Sequence, residues 1–284
     1  VILLTSYLAE TFQDSVRIGH ERGMVVEVTH ETEPLGTAGA IKNAEELIGD
    51  DTFFAFNGDV LTDMDLGQML KFHREREAEA TIVLTPVDDP SAYGVVPTED
   101  DGKVLGFIEK PPAGEAPTNL INAGVYIFEP SILKRIPAGR EWSAERALFP
   151  SLVGEGARLY ATGTDAYWMD IGTPAKYLAA NLDALTGRYV TDAVRESGES
   201  ASVIGAGAAI DPAATVTSSS IGPGCTVATG AVVERSVLLP GARVGAGARV
   251  DGCILGEGAE AAPGMQITGL TLGDGEMAQG EQEA

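Results

Sequence analysis

The chain has 284 residues, 44% of them hydrophobic, and its 42 acidic against 19 basic side chains give a net charge of −23. That composition fills real cores but argues against nucleic acid or anionic membranes as partners, because phosphate-rich surfaces are held by clustered Lys and Arg. No apolar run approaches the ~18 residues of a membrane-spanning helix and no basic-apolar-small leader opens the chain, so the expectation is a soluble cytoplasmic protein with one large domain or two of ordinary size.

Val1 to Thr5 reads as a buried strand, and a start at Val1, inside an apolar run, has the look of a cut. Glu10 to Arg22 follows as a helix ended by Gly23, and Val25 to Thr29 as the next strand. Glu33-Pro34-Leu35-Gly36-Thr37-Ala38-Gly39 opens a helix to about Ile48, with Thr37 as its N-cap. Thr52 to Phe56 is an apolar run cut off by Asn57-Gly58-Asp59. That is the pattern of a buried strand delivering a carboxylate at its C-terminal end, where open α/β sheets bind ligands; read alone, the tripeptide is ordinary turn chemistry. Leu66 to Glu77 is amphipathic and Ala80 to Val87 strand-like, so strands alternate with helices and a mostly parallel sheet is predicted.

Short strands over Tyr93-Gly94-Val95-Val96, Val104 to Glu109 and Ile121 to Phe128, parted by Pro- and Gly-rich turns, suit an antiparallel subdomain beside that sheet. Ser143 to Val153 is helical with Ser143 as cap. Tyr167-Trp168-Met169-Asp170-Ile171-Gly172 repeats the strand, carboxylate and glycine pattern. Thr173-Pro174 then caps a helix to about Leu185, with Pro at the first helical position.

From Ile204 the composition shifts to Gly, Ala and Val, and three aliphatic rows recur every 17 residues. The first is Ile204, Ile221, Leu238, Leu255 and Leu272, the second Ile210, Val227, Val244 and Ala261, and the third Val216, Val233, Val250 and Ile267. Three rows mean a coil with three flat faces, similar to the hexapeptide-repeat left-handed parallel β-helix, with one aliphatic side chain per face turned inward. The domain reading is therefore an α/β domain over 1–187, a linker over 188–202, a β-helix over 203–273 and an acidic tail over 274–284. Cys225 and Cys253 fall on different faces, so free thiols are expected. His20, His30 and His73 have no ligand spacing and read as solvated or structural.

Asp59 and Asp170, each ending a strand, are predicted to share the carboxyl edge of one sheet. Paired hard oxygens with phosphate substrates are what Mg²⁺ uses. The motifs Glu33 to Gly39, Asn57-Gly58-Asp59, Tyr93-Gly94-Val95-Val96, Phe107-Ile108-Glu109-Lys110-Pro111, Ile121-Asn122-Ala123-Gly124 and Trp168 to Gly172 occur in the order found in sugar-1-phosphate nucleotidylyltransferases. The chain resembles that family over nearly its whole length, most closely its mannose-1-phosphate guanylyltransferase branch. The resemblance implies a Rossmann-like nucleotidyltransferase domain in which a sugar 1-phosphate attacks the α-phosphorus of a nucleoside triphosphate, GTP in that branch, and pyrophosphate leaves. It implies Mg²⁺ on Asp59 and Asp170, Lys110 at the sugar phosphate and Glu109 accepting from sugar hydroxyls. Gly94, Asn122 and Gly124 line the sugar site beside Tyr93 and Gly58, and Leu35, Gly36 and Thr37 border the base. Glu31 or Glu33 is placed to accept from guanine N1–H and its 2-amino group.

Members of that family open with a strand and a Gly-rich phosphate loop, and the chain begins at what would be their second strand. The expectations are an enzyme in the parent protein, inactivity of the chain as written, and a slot about 9.5 Å wide between Val1–Thr5 and Thr52–Phe56, with direct pairing of the two as the competing outcome. The rival readings are a thymidylyl-, uridylyl- or adenylyltransferase acting on glucose 1-phosphate, a non-catalytic regulatory subunit that binds a nucleotide sugar, and a bifunctional enzyme whose β-helix is an acyltransferase. Acyl transfer of that kind generally relies on a histidine base, and no histidine follows His73. The β-helix is therefore assigned to homo-oligomer assembly or regulation.

Overall fold

The computed structural model describes residues 1–6, 9–191, 194, 202–278 and 282–283. Most of the expected linker lies outside them. In chain order the elements are β1 (Ile2–Thr5), α1 (Gln13–Glu21), β2 (Glu27–His30), α2 (Gly36–Asn43), α3 (Glu45–Ile48), β3 (Phe53–Phe56), β4 (Val60–Thr62) and α4 (Leu66–Glu75). They continue with β5 (Ala80–Pro86), β6 (Gly94–Val95), β7 (Ile108–Glu109), β8 (Leu120–Phe128), α5 (Phe149–Gly154), β9 (Leu159–Gly163), β10 (Trp168–Asp170) and α6 (Pro174–Leu185). Two compact units result, Val1–Gly58 with Met64–Ala166, and Asp59–Asp63 with Tyr167–Ala284.

The main sheet of the first unit is mixed, where the pattern of strands and helices predicts a mostly parallel one. β8 lies at its centre, antiparallel to β5 along one edge and to β3 and β6 along the other, while β9 runs parallel to β5 and β7 extends β6. The segment expected in a subdomain beside the sheet is thus its middle strand. An unbroken apolar run marks a strand covered on both faces but says nothing of its direction. Val125, Tyr126, Ile127 and Phe128 are fully buried, and Tyr126 and Phe128 pack on Phe149 at the head of α5.

β1 and β2 form a separate parallel pair from Ile2 opposite Glu27 to Thr5 opposite His30. Among the described residues β3 pairs only with β8, and the competing arrangement, direct pairing of β1 with β3, does not occur. Thr37 is not the cap of α2, which starts one residue earlier; the Trp142 carbonyl accepts from Ala38 and Gly39 N–H and satisfies the first turn instead. Ser143 does cap the helical turn Ala144–Leu148 that leads into α5, accepting from Arg146 N–H, and Thr173 caps α6, accepting from Lys176 N–H.

In the second unit the three aliphatic rows stand in register on three parallel five-stranded sheets. Ile221, Leu238 and Leu255, then Val227, Val244 and Ala261, then Val233, Val250 and Ile267 are all buried. Ile204 is 46% exposed, and among the described residues its strand, Val203–Ile204, pairs only with Ser220–Ile221 of the next coil. Met277–Ala278 adds a fifth strand to the second face, beyond the point where the sequence turns polar. Both cysteines are free and occupy small buried positions of the coil, Cys225 in line with Ala242 and Ala259, Cys253 in line with Ser219 and Ser236. Burial raises both thiol pKa values. No described helix is long and apolar enough to cross a membrane.

Candidate active site

Asp59 and Asp170 do not reach each other through the main sheet. They meet on a separate two-stranded ribbon, β4 against β10, with Asp170 opposite Val60 and Ile171 N–H donating to the Asp59 carbonyl at 2.8 Å. β4, the Val60-Leu61-Thr62 run after the Asn57-Gly58-Asp59 turn, is the element the sequence reading lacks, and antiparallel pairing brings the two carboxylates to one end of it. A Cβ on Gly172 would lie 3.0 Å from Asp170 Oδ1 and 3.1 Å from Asp59 Oδ2. The two oxygens are therefore no more than about 6 Å apart, within the span that small side-chain rotations close around a cation holding each oxygen at about 2.1 Å. Only glycine leaves that space open at position 172.

Asp170 is held from two sides. Its Oδ1 accepts from Gly172 N–H at 2.9 Å and its Oδ2 meets Lys176 Nζ, on the first turn of α6, at 2.8 Å. Burial alone would raise this carboxyl, but the Lys176 and Gly172 hydrogen bonds and the Lys176 charge outweigh it, and its pKa lies below the ordinary value. Two hard carboxylates fit a divalent metal ion of the oxygen-binding class. Among the described residues no cluster of three or more His, Cys, Asp or Glu side chains gathers for a metal.

The second group of site residues lies in the first unit, on three adjacent strands. Gly94 of β6 stands opposite Glu109 of β7, Lys110 N–H donates to the Tyr93 carbonyl, and Val95 stands opposite Ile121 of β8, which carries Asn122 one residue on. Three motifs far apart in the chain thus become one surface. A Cβ on Gly94 would sit 2.6 Å from the Phe107 ring and 3.1 Å from Glu109 Oε2, so glycine lets the Glu109 carboxylate lie flat against the backbone. Gly124 has φ of 69° and its missing Cβ makes room for the Asn57 carboxamide, while Asn57 N–H donates to the Gly124 carbonyl. Lys110 has φ of 47°, a left-handed conformation that costs a non-glycine residue about 1 kcal/mol and recurs at functional sites. The chain passes from this group to the carboxylate pair through Asn57-Gly58-Asp59.

The third group is the loop before α2. Glu31 closes it by accepting from Leu35 N–H at 2.9 Å, and Trp142 N–H donates to the Leu35 carbonyl at 2.7 Å. Gly36 and Gly39 lie so near the Arg140–Trp142 backbone that a Cβ would meet it at 3.1 and 2.8 Å. The glycines of the Leu35-Gly36-Thr37-Ala38-Gly39 run therefore serve a backbone-to-backbone clamp. One oxygen of Glu31 is committed within the loop, and Glu33 is exposed.

The nucleotidyl transferase family matches residues 1–187. The chain belongs to that family. The GlmU-like C-terminal hexapeptide family matches residues 186–275. A mannose-1-phosphate guanylyltransferase of Mycobacterium tuberculosis is 41% identical over 216 residues, covering 75% of this chain and 59% of its own length. A mannose-1-phosphate guanylyltransferase catalytic subunit beta of Danio rerio is 44% identical over 63% of this chain and 49% of its own. The chain spans about half to three fifths of the length of these relatives. HddC from Yersinia pseudotuberculosis is similar in structure with a TM-score of 0.55 and 32% identity, covering 63% of this chain and 76% of that one, and it has also been crystallised complexed with GMP-PN.

Sequence reasoning misses three residues beside the candidate site. Lys176 carries no signal except its position on the first turn of a helix that follows a carboxylate. Tyr126 and Glu145 join Asn122 and Ser143 in one hydrogen-bonded chain. Tyr126 hides in an apolar strand, Asn122-Ala123-Gly124-Val125-Tyr126, whose register shifts between the two residues, and only the 2.8 Å contact between the Asn122 amide and the Tyr126 hydroxyl shows that they meet.

Proposed function

We propose that the protein transfers a nucleotidyl group from GTP to mannose 1-phosphate, forming the nucleotide sugar and pyrophosphate. The observation that carries this reading is the convergence of Asp59 and Asp170 on one ribbon with Gly172 held open between them. The names of the relatives and the GMP-PN complex of HddC support the guanine nucleotide and the mannosyl substrate. Both substrates are anions, so catalysis rests on neutralising charge and aligning the attack.

Asp59 and Asp170 would hold a magnesium ion, which supplies polarisation of the transferring phosphoryl group and charge neutralisation. Lys110 meets the phosphate of the sugar, bringing a fixed positive charge to a protein that is otherwise strongly acidic. Glu109 accepts from sugar hydroxyls, with Tyr93, Gly94, Asn122, Gly124 and Gly58 bordering the sugar. Leu35, Gly36 and Thr37 border the base, and with one Glu31 oxygen committed to Leu35 N–H, Glu33 is the carboxylate with both oxygens available to the paired donors of guanine. The β-helix is the element for homo-oligomer assembly, and the cell compartment is the cytoplasm.

The test is pyrophosphate release by the full-length parent protein across a panel of the four nucleoside triphosphates and dTTP against mannose, glucose and N-acetylglucosamine 1-phosphates, with and without Mg²⁺. The expected result is Mg²⁺-dependent turnover, highest for GTP with mannose 1-phosphate. A UTP–glucose-1-phosphate uridylyltransferase of Synechocystis is 39% identical over 193 residues, so the panel decides between two substrate pairs. Turnover that prefers UTP and glucose 1-phosphate overturns the substrate assignment, and none with any pair overturns the activity.

A further inference from the structure

The chain of hydrogen bonds behind Asn122 has a direction that chemistry alone assigns. The Glu145 carboxylate only accepts, so Tyr126 O–H donates to its Oε1 at 3.1 Å and Ser143 O–H to its Oε2 at 2.8 Å. The Tyr126 hydroxyl has one proton and has given it to Glu145. At Asn122, 2.8 Å away, it accepts, and the atom facing it is the amide nitrogen Nδ2. Independently, Gly124 N–H donates to Asn122 Oδ1 at 3.1 Å. Two separate constraints thus place the amide nitrogen and oxygen the same way round, and one N–H of Nδ2 has no partner among the described residues.

We infer that Tyr126 and Glu145 are positioning residues that lock the Asn122 carboxamide so that its remaining N–H donates to a hydroxyl of the sugar 1-phosphate. The inference rests on the functional reading above, in which Asn122 borders the sugar. Asn122 then supplies a fixed donor beside the Glu109 acceptor, and a donor set opposite an acceptor reads hydroxyl positions on a hexose ring rather than its bulk. The lock is rigid because Tyr126 is fully buried against Phe128 and Phe149, and Glu145 is held at Oε1 by Tyr126 and at Oε2 by Ser143, whose own hydroxyl caps the turn that carries Glu145. Burial and the Glu145 charge raise the Tyr126 pKa well above its ordinary value, so the hydroxyl keeps its proton across the working range of pH.

Steady-state kinetics of the intact protein test the arrangement. Tyr126→Phe removes one oxygen and keeps the ring, and the KM for the sugar 1-phosphate is expected to rise about tenfold while the KM for the nucleotide stays within twofold. Glu145→Gln keeps an acceptor for Tyr126 and should behave as wild type; Glu145→Ala should behave as Tyr126→Phe. In an Asn122→Ala background Tyr126→Phe should add nothing, because the tyrosine acts only through the amide. Equal loss for both substrates, no change in the sugar KM, or full additivity with Asn122→Ala would each overturn the positioning role. An Asn122→Ala variant with unaltered sugar KM would instead remove Asn122 from the sugar site, and the inference with it.

Discussion

His73 shows how one side chain ties several elements together without taking part in the proposed chemistry. It is 1% exposed on α4, with Nδ1 at 2.8 Å from Thr81 Oγ1 and Nε2 at 3.2 Å from Glu129 Oε1, which also accepts from Thr52 O–H. Because a carboxylate only accepts, Nε2 carries a proton, and in the neutral ring that burial favours Nδ1 accepts from Thr81 O–H. Burial lowers its pKa; the Glu129 hydrogen bond and charge oppose that without reversing it. A group whose folded pKa is lowered takes up its proton first in the unfolded chain, so stability is full above the ordinary value of about 6.5 and falls as pH drops below it. Denaturant midpoints measured between pH 5 and 8 should therefore decline on the acid side, and the decline should be shallower in His73→Gln. An equal slope in both proteins would mean that other groups set the acid sensitivity.

At the level of the element, the β-helix carries a device that its aliphatic rows do not reveal. Ser202, Ser219, Ser236 and Cys253 stack every 17 residues, and each serine hydroxyl accepts the N–H of the residue one coil further on. Ser219 and Ser236 also donate to the carbonyl two residues back in the chain. Each corner of the coil thereby satisfies a buried N–H that no strand partner reaches. Ser236→Ala strands the Cys253 N–H in the interior and should cost about 1–3 kcal/mol in a denaturation experiment. Cys253→Ser keeps the volume and supplies a better acceptor, so its midpoint should not fall; a loss equal to that of Ser236→Ala would show that packing, not hydrogen bonding, sets the preference for small residues here.

For the whole molecule the dominant fact is the charge of −23. Ion pairs on the β-helix, such as Arg235 with Asp251 and Arg249 with Glu234, are partly exposed and contribute about 0–1 kcal/mol each, too little to offset repulsion among the excess carboxylates. Raising NaCl from about 10 mM to 0.5 M shortens the screening length from about 30 Å to about 4 Å, and the melting midpoint should rise by several degrees. A flat or falling midpoint would place the ion pairs above the repulsion. The sequence by itself determined the β-helix, its 17-residue rows and the free cysteines, because a repeat that stacks only on its neighbours is a local code written once per coil. It also determined the motif residues, since glycines and carboxylates at strand ends are marked in the chain. Only the tertiary structure decided that β8 is the centre of a mixed sheet, that Asp59 and Asp170 meet on the β4–β10 ribbon, and that Tyr126 and Glu145 stand behind Asn122. Strand direction, long-range pairing and the partner of a buried hydroxyl leave no periodic trace, because each depends on residues tens of positions away brought together by packing.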